Sequence, residues 1–197
     1  MTMETTQGRA RRGDTRQRIQ DVAVELFAEQ GYEKTSLREI ADRLDVTKAA
    51  LYYHFKTKED ILVSIFDDLG APVEALIEWA EGQPRTPETK REVVRRYGEV
   101  MQDAGPLFRF LHENQATVRD LDIGNTVKER LLRLIDVLVE EGAPLSDRIR
   151  CHLAMFAMHG LPFILQSSDA PVEDKRMAAR EVAFQLIEAT VSGAPEA

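Results

Sequence analysis

The sequence predicts an all-α fold, and three observations support this prediction. Apolar side chains recur at intervals of three and four residues through most of the chain, which is the period of an amphipathic helix. No segment of convincing length alternates between apolar and polar residues as a half-buried strand would. Capping residues, prolines and glycines separate the periodic segments where helices are expected to begin and end. About nine helices fit the 197 residues.

The first predicted helix begins at a cap on Asp14 or Thr15 and ends at Gly31. Its apolar residues keep helical spacing and form one stripe: Ile19, Val22, Ala23, Leu26 and Phe27. A single helix cannot bury such a stripe alone. We therefore expect it to pack across the next two helices as a three-helix domain, residues 1–55.

Residues 35–58 predict two short helices joined by a tight turn, which is a helix-turn-helix. Apolar residues of the first short helix stand at i, i+3, i+4 and i+7: Leu37, Ile40, Ala41 and Leu44. Ser36 and Glu39 have the spacing of a capping box at its start. Asp45 tolerates the left-handed conformation that the turn needs, and Thr47 caps the second helix.

The second helix of this motif, residues 48–55, is expected to bury Leu51 and Phe55. Its other side chains then point outward: Lys48, Ala49, Ala50, Tyr52, Tyr53 and His54. At least one of the two phenols is expected to be exposed, because Leu51 and Phe55 already occupy the buried positions. Such a surface, with a lysine and small residues near its start, would fit a DNA groove.

A second domain, residues 56–197, is predicted to hold six more helices. The first of them begins after a cap at Thr57 and continues an apolar pattern to Ala80. Gly70 and Pro72 interrupt this pattern, because proline lacks an N–H donor and clashes with the preceding turn. We therefore expect a kink or a brief break there.

Proline, glycine and capping residues set the boundaries of the later helices. They predict helices from Thr86 to about Asp103, from Gly105-Pro106 to about Arg119, around a stripe from Val127 to Val139, and from a cap at Ser146. The last two helices, near Leu145–Ser167 and Val172–Val191, have apolar and small residues on more than one face.

The last helix carries two neighbouring rows of apolar and small residues. One row is Ala178, Val182 and Leu186, and the other is Ala179, Ala183, Ile187 and Thr190. If one row faces the core and the other faces a second copy, two chains form a four-helix interface. The alternative is a central core helix in a monomer.

The net charge of −8 is unevenly distributed. Residues 1–60 carry 11 basic and 11 acidic side chains, so the excess of acid lies entirely in residues 61–197. Five arginines stand close together near the start of the chain: Arg9, Arg11, Arg12, Arg16 and Arg18. This basic segment is either a solvated, disordered tail or a contact to DNA phosphates or the minor groove.

The composition predicts a cytoplasmic protein that is not an enzyme. No apolar run approaches the roughly 20 residues that span a membrane, and the single Cys151 agrees with a reducing compartment. The histidines His112, His152 and His159 are too scattered for a metal motif, and no Gly-rich phosphate loop is present. We therefore expect no metal, no cofactor and no membrane partner.

Motifs in the amino-terminal quarter are far more specific than a generic turn. They are Ile19–Phe27 with Gly31 and Tyr32, Thr35–Ala41, and Val46–Phe55 followed by Lys58, Glu59 and Leu62. In these motifs the chain resembles the TetR-type transcriptional regulators, and the run LYYHF-K-x-KE is the most distinctive part. Asp45 departs from the family, which often has glycine at this position.

The resemblance implies a homodimer that binds double-stranded DNA at a palindromic operator through two half-sites. It also implies contacts to the DNA backbone from Tyr52, Tyr53, His54 and Lys58. The other candidate positions for DNA contact, for base choice or for phosphate, are Ser36, Arg38, Thr47, Lys48, Ala49 and Ala50.

In the resembling regulators, a small molecule in the second domain changes the spacing of the two DNA-binding domains and lowers operator affinity. Adaptable apolar residues with a few polar partners would suit a pocket for an apolar effector. The candidates are Trp79, Tyr97, Met101, Phe108, Arg109, His112, Met155, Phe156, His159 and Phe163. We therefore expect a repressor released by an effector of unknown identity. The alternative is a protein-interaction module without an effector.

Overall fold

Helices dominate the part of the chain that the structure describes. This computed structural model describes residues 4–160, 165 and 168–191, without the side chains of residues 4–14, 103, 106 and 109. Within these residues there are ten α-helices, one 3-10 turn and no strand. The predicted all-α class is confirmed.

The helices are numbered in chain order. They are α1 (Glu4–Gln30), α2 (Leu37–Arg43), α3 (Lys48–His54), α4 (Lys58–Glu81), α5 (Pro87–Val100), α6 (Gly105–Glu113), α7 (Gln115–Asp120), α8 (Ile123–Leu138), α9 (Leu145–His159) and α10 (Val172–Val191). The 3-10 turn, Met101–Asp103, follows α5. The chain forms two compact units, Met1–Asp68 and Leu69–Ala197, and the boundary falls within α4.

The first unit packs α1, α2, α3 and the first part of α4 around one apolar core. Its most deeply buried side chains include Ile19, Ala23, Ile40, Leu51, Ile61 and Leu62. The apolar spacing in α1 and α2 predicts these buried positions, because a helix presents every third or fourth residue to the same neighbour. The unit is therefore a small helical scaffold that holds α3 at its surface.

Helix α1 begins earlier than the sequence predicts. It starts at Glu4, so Asp14 and Thr15 lie inside it and do not cap it. Extending an existing helix costs little once it has formed, and the arginine, alanine and glutamine residues of this stretch favour helix, although Gly8 and Gly13 oppose it. The basic segment from Arg9 to Arg18 therefore lies within α1.

Helix α4 is continuous through Gly70 and Pro72, so the predicted break is absent. A proline inside a helix costs about 3 kcal/mol. After Pro72 the helix buries Val73, Leu76 and Ile77 in the core of the second unit. This burial offsets the cost of the proline and keeps the segment helical.

The segment after Gly105 forms two helices, α6 and α7, where the sequence predicts one. They meet at Asn114, whose backbone leaves the helical region at φ −118° and ψ 43°. The Asn114 amide Nδ2 donates to the Phe110 carbonyl at 3.0 Å. An asparagine side chain that bonds a carbonyl of the preceding turn in this way offers the backbone an alternative to continuing the helix.

The start of α9 is also different from the prediction. Pro144 is its N-cap residue, and Ser146 lies inside the first turn and does not cap the helix. The Pro144 carbonyl accepts the first hydrogen bonds of the helix, from the backbone N–H groups of Asp147 and Arg148. No side chain caps this end of the helix, and only the backbone carbonyl of Pro144 supports its first turn.

Four helices, α5, α8, α9 and α10, supply most of the core of the second unit. Its buried residues include Val93, Tyr97, Leu134, Leu138, Met155, Ala183 and Ile187. Helix α9 ends at His159, and the predicted continuation to Ser167 falls largely outside the described residues. Helix α10 has the predicted bounds. In the described part of the chain, no helix has the length and apolar character of a membrane span.

Candidate nucleic-acid interface

A capping box fixes the start of α2, as the sequence predicts. The Ser36 hydroxyl accepts from the Glu39 backbone N–H at 3.3 Å, and the Glu39 carboxylate accepts from the Ser36 N–H at 2.8 Å. The Ser36 hydroxyl and then the Ser36 backbone N–H hold the pKa of Glu39 below its ordinary value. Two of the N–H groups at this helix end are thus satisfied locally.

The turn between α2 and α3 uses a left-handed residue. Asp45 has φ 54°, which confirms the role predicted for it. Thr47 then begins α3, because its hydroxyl accepts from the Ala50 backbone N–H at 3.2 Å. These contacts are local, and they fix the angle at which α3 leaves the turn.

Helix α3 buries one side and exposes the other. Leu51 and Phe55 are buried, whereas Tyr53 is 62% exposed. Ala49 and Ala50 are exposed as well, and the helical period places Ala49 and Tyr53 on the side opposite Leu51. We call Lys48, Ala49, Ala50 and Tyr53 the exposed face of α3. The alanine side chains at the centre of this face are small, and the Tyr53 phenol and the Lys48 ammonium lie at its edges.

Tyr52 and His54 are half-buried beside this face. The Tyr52 ring lies 5.3 Å from the Lys48 ammonium, and the His54 ring packs edge-on against Tyr53. The Lys56 ammonium donates to the Tyr52 carbonyl at 2.6 Å and so closes the last turn of α3. A cation at the C-terminal end of a helix also interacts favourably with the helix dipole.

Further cations lie on α1 and α2. Arg38 is exposed and is 3.7 Å from Asp42, which is a weak, solvated ion pair. The Arg16 guanidinium lies 4.5 Å from the centroid of the Phe55 ring, next to the end of α3. Arg18 is exposed on the same helix. The side chains of Arg9, Arg11 and Arg12 lie outside the described side chains.

Lys58, which the resemblance implies as a backbone contact, is placed differently from Lys48. Its ammonium donates to the Tyr32 carbonyl at 2.8 Å and lies 4.1 Å from the centroid of the Tyr32 ring. Only 18% of its side chain is exposed. The spacing of the sequence motif gives no sign of this contact, because Tyr32 precedes Lys58 by 26 residues.

The residues predicted to hold an effector are all in the second unit, but only some of them come together. Tyr97, Met101 and Met155 are buried, and Phe108 and Trp79 pack partly buried against the same core. Phe156 is 46% exposed and His112 is exposed. Phe163 lies outside the described residues, and the Arg109 side chain lies outside the described side chains.

His159 is the polar centre of this group. Its Nδ1 lies 3.4 Å from the Tyr97 hydroxyl, and its ring stacks on Phe108 at a centroid distance of 5.2 Å. Phe156 packs edge-on against the same ring. Burial lowers the pKa of His159 to about 4, so the imidazole is neutral near pH 7. A phenol and a neutral imidazole inside an apolar core can orient the polar group of a ligand.

A cleft of about 230 Å³ lies at the end of α8, and the sequence reasoning missed it. Lys90 and Cys151 line it, together with residues 138–144. Lys90 is 4% exposed, and its ammonium donates to the Glu140 carboxylate at 2.7 Å. The sequence does contain an indication that Lys90 is buried, because Lys90 falls in the apolar period of α5 with Val93, Val94 and Tyr97. Burial raises the pKa of the Cys151 thiol.

In the part of the chain that the structure describes, no group of three or more His, Cys, Asp or Glu side chains has the arrangement of a metal site. The site geometry is instead that of an exposed short helix on a helical scaffold. Comparison with known proteins agrees with this geometry.

The sequence pattern described as "Bacterial regulatory proteins, tetR family" matches residues 19–65. The HTH-type transcriptional regulator AcrR of Shigella flexneri is 50% identical over 54 residues, which are 27% of this chain and 25% of that protein. The fatty acid metabolism regulator protein of Bacillus subtilis (strain 168) is 27% identical over 128 residues, which are 63% of this chain and 66% of that protein. The chain thus spans about a quarter of the first relative and about two thirds of the second.

A similar solved structure is that of a transcriptional regulator from Aquifex aeolicus VF5. It matches with a TM-score of 0.63 and 24% identity, over 88% of this chain and 99% of that chain. At this identity the match shows a shared fold. The fold therefore extends well beyond the segment in which the sequence similarity is high.

Proposed function

The amino-terminal domain of this chain is a domain of the tetR family of bacterial regulators, as its motifs predict, and from this premise we propose that the protein is a homodimeric transcriptional repressor. The observation that carries the proposal is the exposed face of α3. A capped, seven-residue helix with buried Leu51 and exposed Lys48 and Tyr53 has the geometry of a recognition helix.

The exposed face of α3 offers two kinds of DNA contact. Ala49 and Ala50 allow close approach to base edges and can touch a thymine methyl group, whereas Lys48 can bond a base edge or a phosphate. Tyr53, Tyr52 and His54 are suited to the backbone, and Ser36, Arg38 and Thr47 lie at or near helix starts that can face phosphates. Backbone contacts set the register, and base contacts set the sequence.

The proposed dimer uses apolar side chains that a single chain leaves exposed. On α9 these are Leu145, Ile149, Leu153 and Phe156, which are spaced by four, four and three residues and so form one stripe. On α10, Met177, Ala178 and Val182 are exposed, whereas Ala179, Ala183 and Ile187 face the core. Exposed apolar stripes on two packed helices favour a four-helix interface with a second copy.

An apolar small molecule is proposed as the effector, bound near the Tyr97–His159 pair in the second unit. Support comes from this polar pair and from the methionine and aromatic side chains around it. Binding would favour a spacing of the two DNA-binding domains that cannot span successive major grooves, which lowers operator affinity. A cytoplasmic location follows from the same proposal, since the DNA is there.

Two substitutions test DNA binding. Lys48→Ala and Tyr53→Ala are expected to weaken binding to DNA duplexes that the wild-type protein binds. For each phosphate contact that is lost, the affinity should also depend less steeply on the salt concentration. Lys128→Ala, at an exposed lysine in the second unit, is the matched control and is expected to bind as the wild type does. If all three variants bind equally well in a gel-shift titration, the exposed face of α3 is not the contact surface.

A separate measurement tests the effector. A ligand that binds the folded state raises the melting temperature, so a thermal-shift screen of apolar small molecules is expected to return stabilising compounds. Such a compound should no longer raise the melting temperature of the Tyr97→Phe or His159→Phe variant. A screen without stabilising compounds would favour a second unit that binds another protein.

A further inference from the structure

The cleft at the end of α8 contains a buried charge that the proposed function does not use. The cleft has a volume of about 230 Å³, and its lining residues come from α5, α8, α9, α10 and the loop 139–144. Lys90, Leu138 and Cys151 are the buried residues of this lining. We infer that the cleft binds a small aliphatic carboxylate, whose anion pairs with the Lys90 ammonium. The inference goes beyond the proposed function and does not depend on it.

The Lys90 ammonium is the group that a ligand would recognise. Among the described residues, Lys90 is the one charged side chain that is buried, with 4% of it exposed. A buried ammonium is stable only beside acceptors, because it has lost most of its water. Glu140 is the one acceptor of this ammonium in the described part of the chain, at 2.7 Å. An ammonium has three N–H donors, so Lys90 can donate to a further acceptor in the cleft.

The Glu140 carboxylate can be exchanged for another anion. Its side chain is 57% exposed, and it belongs to the loop that follows α8. A carboxylate that is already more than half exposed can turn into water at little cost. If a second carboxylate takes its place, the buried ammonium stays paired throughout. The ion pair therefore closes the cleft without fixing which carboxylate completes it.

The walls of the cleft determine the class of the ligand. Apolar side chains form much of them: Leu138, Val139, Ala143, Pro144 and Cys151. The Leu138 carbonyl accepts from the Cys151 thiol at 3.7 Å, and the Val139 carbonyl accepts from the Arg85 guanidinium at 2.7 Å, so both carbonyls already have donors. One cation among apolar walls suits a carboxylate with an aliphatic chain, whereas a phosphate needs several donors. The volume lies below the roughly 300 Å³ of sites for drug-sized ligands, so the acid is small.

Two further carboxylates line the cleft, and neither cancels the Lys90 charge. The Asp147 carboxylate accepts from the Arg150 guanidinium, which balances its charge. Glu141 is exposed, so water and salt screen its charge. Lys90 is therefore the charge that an anion meets inside the cleft.

This cleft is separate from the Tyr97–His159 pair. Lys90 precedes Tyr97 by seven residues on α5, and Cys151 precedes His159 by eight residues on α9. At about 1.5 Å per residue, these separations are about 10–12 Å along the two helices. A carboxylate beside Lys90 therefore does not occupy the site proposed for the apolar effector.

Sodium butyrate is the probe, and the full-length protein is used without DNA. Butyramide has the same size without the charge, and sodium chloride and sodium phosphate at equal ionic strength control for salt and for other anions. Butyrate is expected to raise the melting temperature and to shift the NMR signal of the Gly142 amide, with a dissociation constant on the order of millimolar for so small a ligand. Butyramide, chloride and phosphate are expected to do neither.

Three variants locate the binding. Lys90→Met fills a similar volume without the charge and is expected to lose the response of the Gly142 signal to butyrate. Glu140→Gln removes the competing carboxylate but keeps an acceptor for Lys90, so it is expected to bind butyrate about tenfold more tightly than the wild type. Glu141→Gln is the matched control in the same loop and is expected to bind within about twofold of the wild type, because an exposed charge is screened.

Absence of butyrate binding to the wild type would overturn the inference, as would equal effects of butyrate and butyramide or of butyrate and phosphate. Undiminished binding of butyrate to Lys90→Met would also contradict it. If Lys90→Met does not fold, Glu140→Gln and Glu141→Gln decide the question, and equal butyrate affinities of these two variants would refute the exchange at Lys90.

Discussion

Replacing Leu153 by Glu is expected to convert the proposed dimer into monomers without unfolding the chain. Leu153 lies in the apolar stripe of α9 and is 49% exposed in the single chain. A carboxylate at this position stays hydrated in a monomer, so the melting temperature of the monomer should change little. In a dimer the same carboxylate would lie in a covered apolar interface.

The magnitude follows from the area that remains exposed. Complete burial of a leucine side chain contributes about 1.5–3 kcal/mol, so covering the exposed half contributes about 1 kcal/mol per subunit and about 2 kcal/mol per dimer. Burying an unpaired carboxylate adds several kcal/mol for each ion. The variant should therefore destabilise the dimer by more than about 4 kcal/mol, which weakens association about a thousandfold.

Sedimentation velocity at micromolar concentration measures this change. Leu132→Glu is the matched control, because Leu132 is 41% exposed but lies on α8, outside the proposed interface. The wild type and Leu132→Glu are expected to sediment as dimers and Leu153→Glu as a monomer. If Leu153→Glu sediments with the wild type as a dimer, the α9 stripe is not the interface.

Three further substitutions have expected outcomes. Gly31→Ala should lower the free energy of unfolding by about 1–2 kcal/mol in urea denaturation, because Gly31 has φ 91° and an L side chain is strained there although nothing lies within 4 Å. Ser36→Ala should cost about 1 kcal/mol in the same assay, since the α2 cap is lost; an unchanged midpoint would show that water replaces the cap. His159→Gln should reduce the loss of stability in acid. The pKa of His159 is about 4 in the folded chain and 6.5 in the reference state, so the stability from keeping it neutral is present above pH 6.5 and is lost as the pH falls toward 4. A melting temperature that falls equally in both proteins between pH 6.5 and 4 would contradict this.

The helix-turn-helix was predictable from the sequence because the interactions that define it are local. The Ser36–Glu39 capping box, the left-handed Asp45 and the Thr47 cap each involve residues within three or four positions of one another. The burial of Leu51 follows from the helical period within α3. Local interactions of this kind do not depend on how the helices pack in the folded chain.

Features that depend on distant parts of the chain were not predictable. Burial after Pro72 keeps α4 continuous, although the local rule predicts an interruption. The division between α6 and α7 is a local exception: the Asn114 backbone leaves the helical region, although the apolar pattern predicts one helix. Lys58 meets the Tyr32 carbonyl only through the fold, because the two residues are 26 positions apart in the sequence.

The central claim, a two-fold DNA-binding protein that uses the exposed face of α3, is tested most directly by selection from a library of randomised DNA duplexes. The wild-type protein is expected to enrich sequences with two inverted half-sites about one helical turn apart. The sequences that the Leu153→Glu variant selects should lack the inverted pair of half-sites. Lys48→Ala should enrich these sequences less strongly or with less preference for particular bases. Enrichment of no sequence, or of sequences without inverted half-sites, by the wild-type protein would contradict the account.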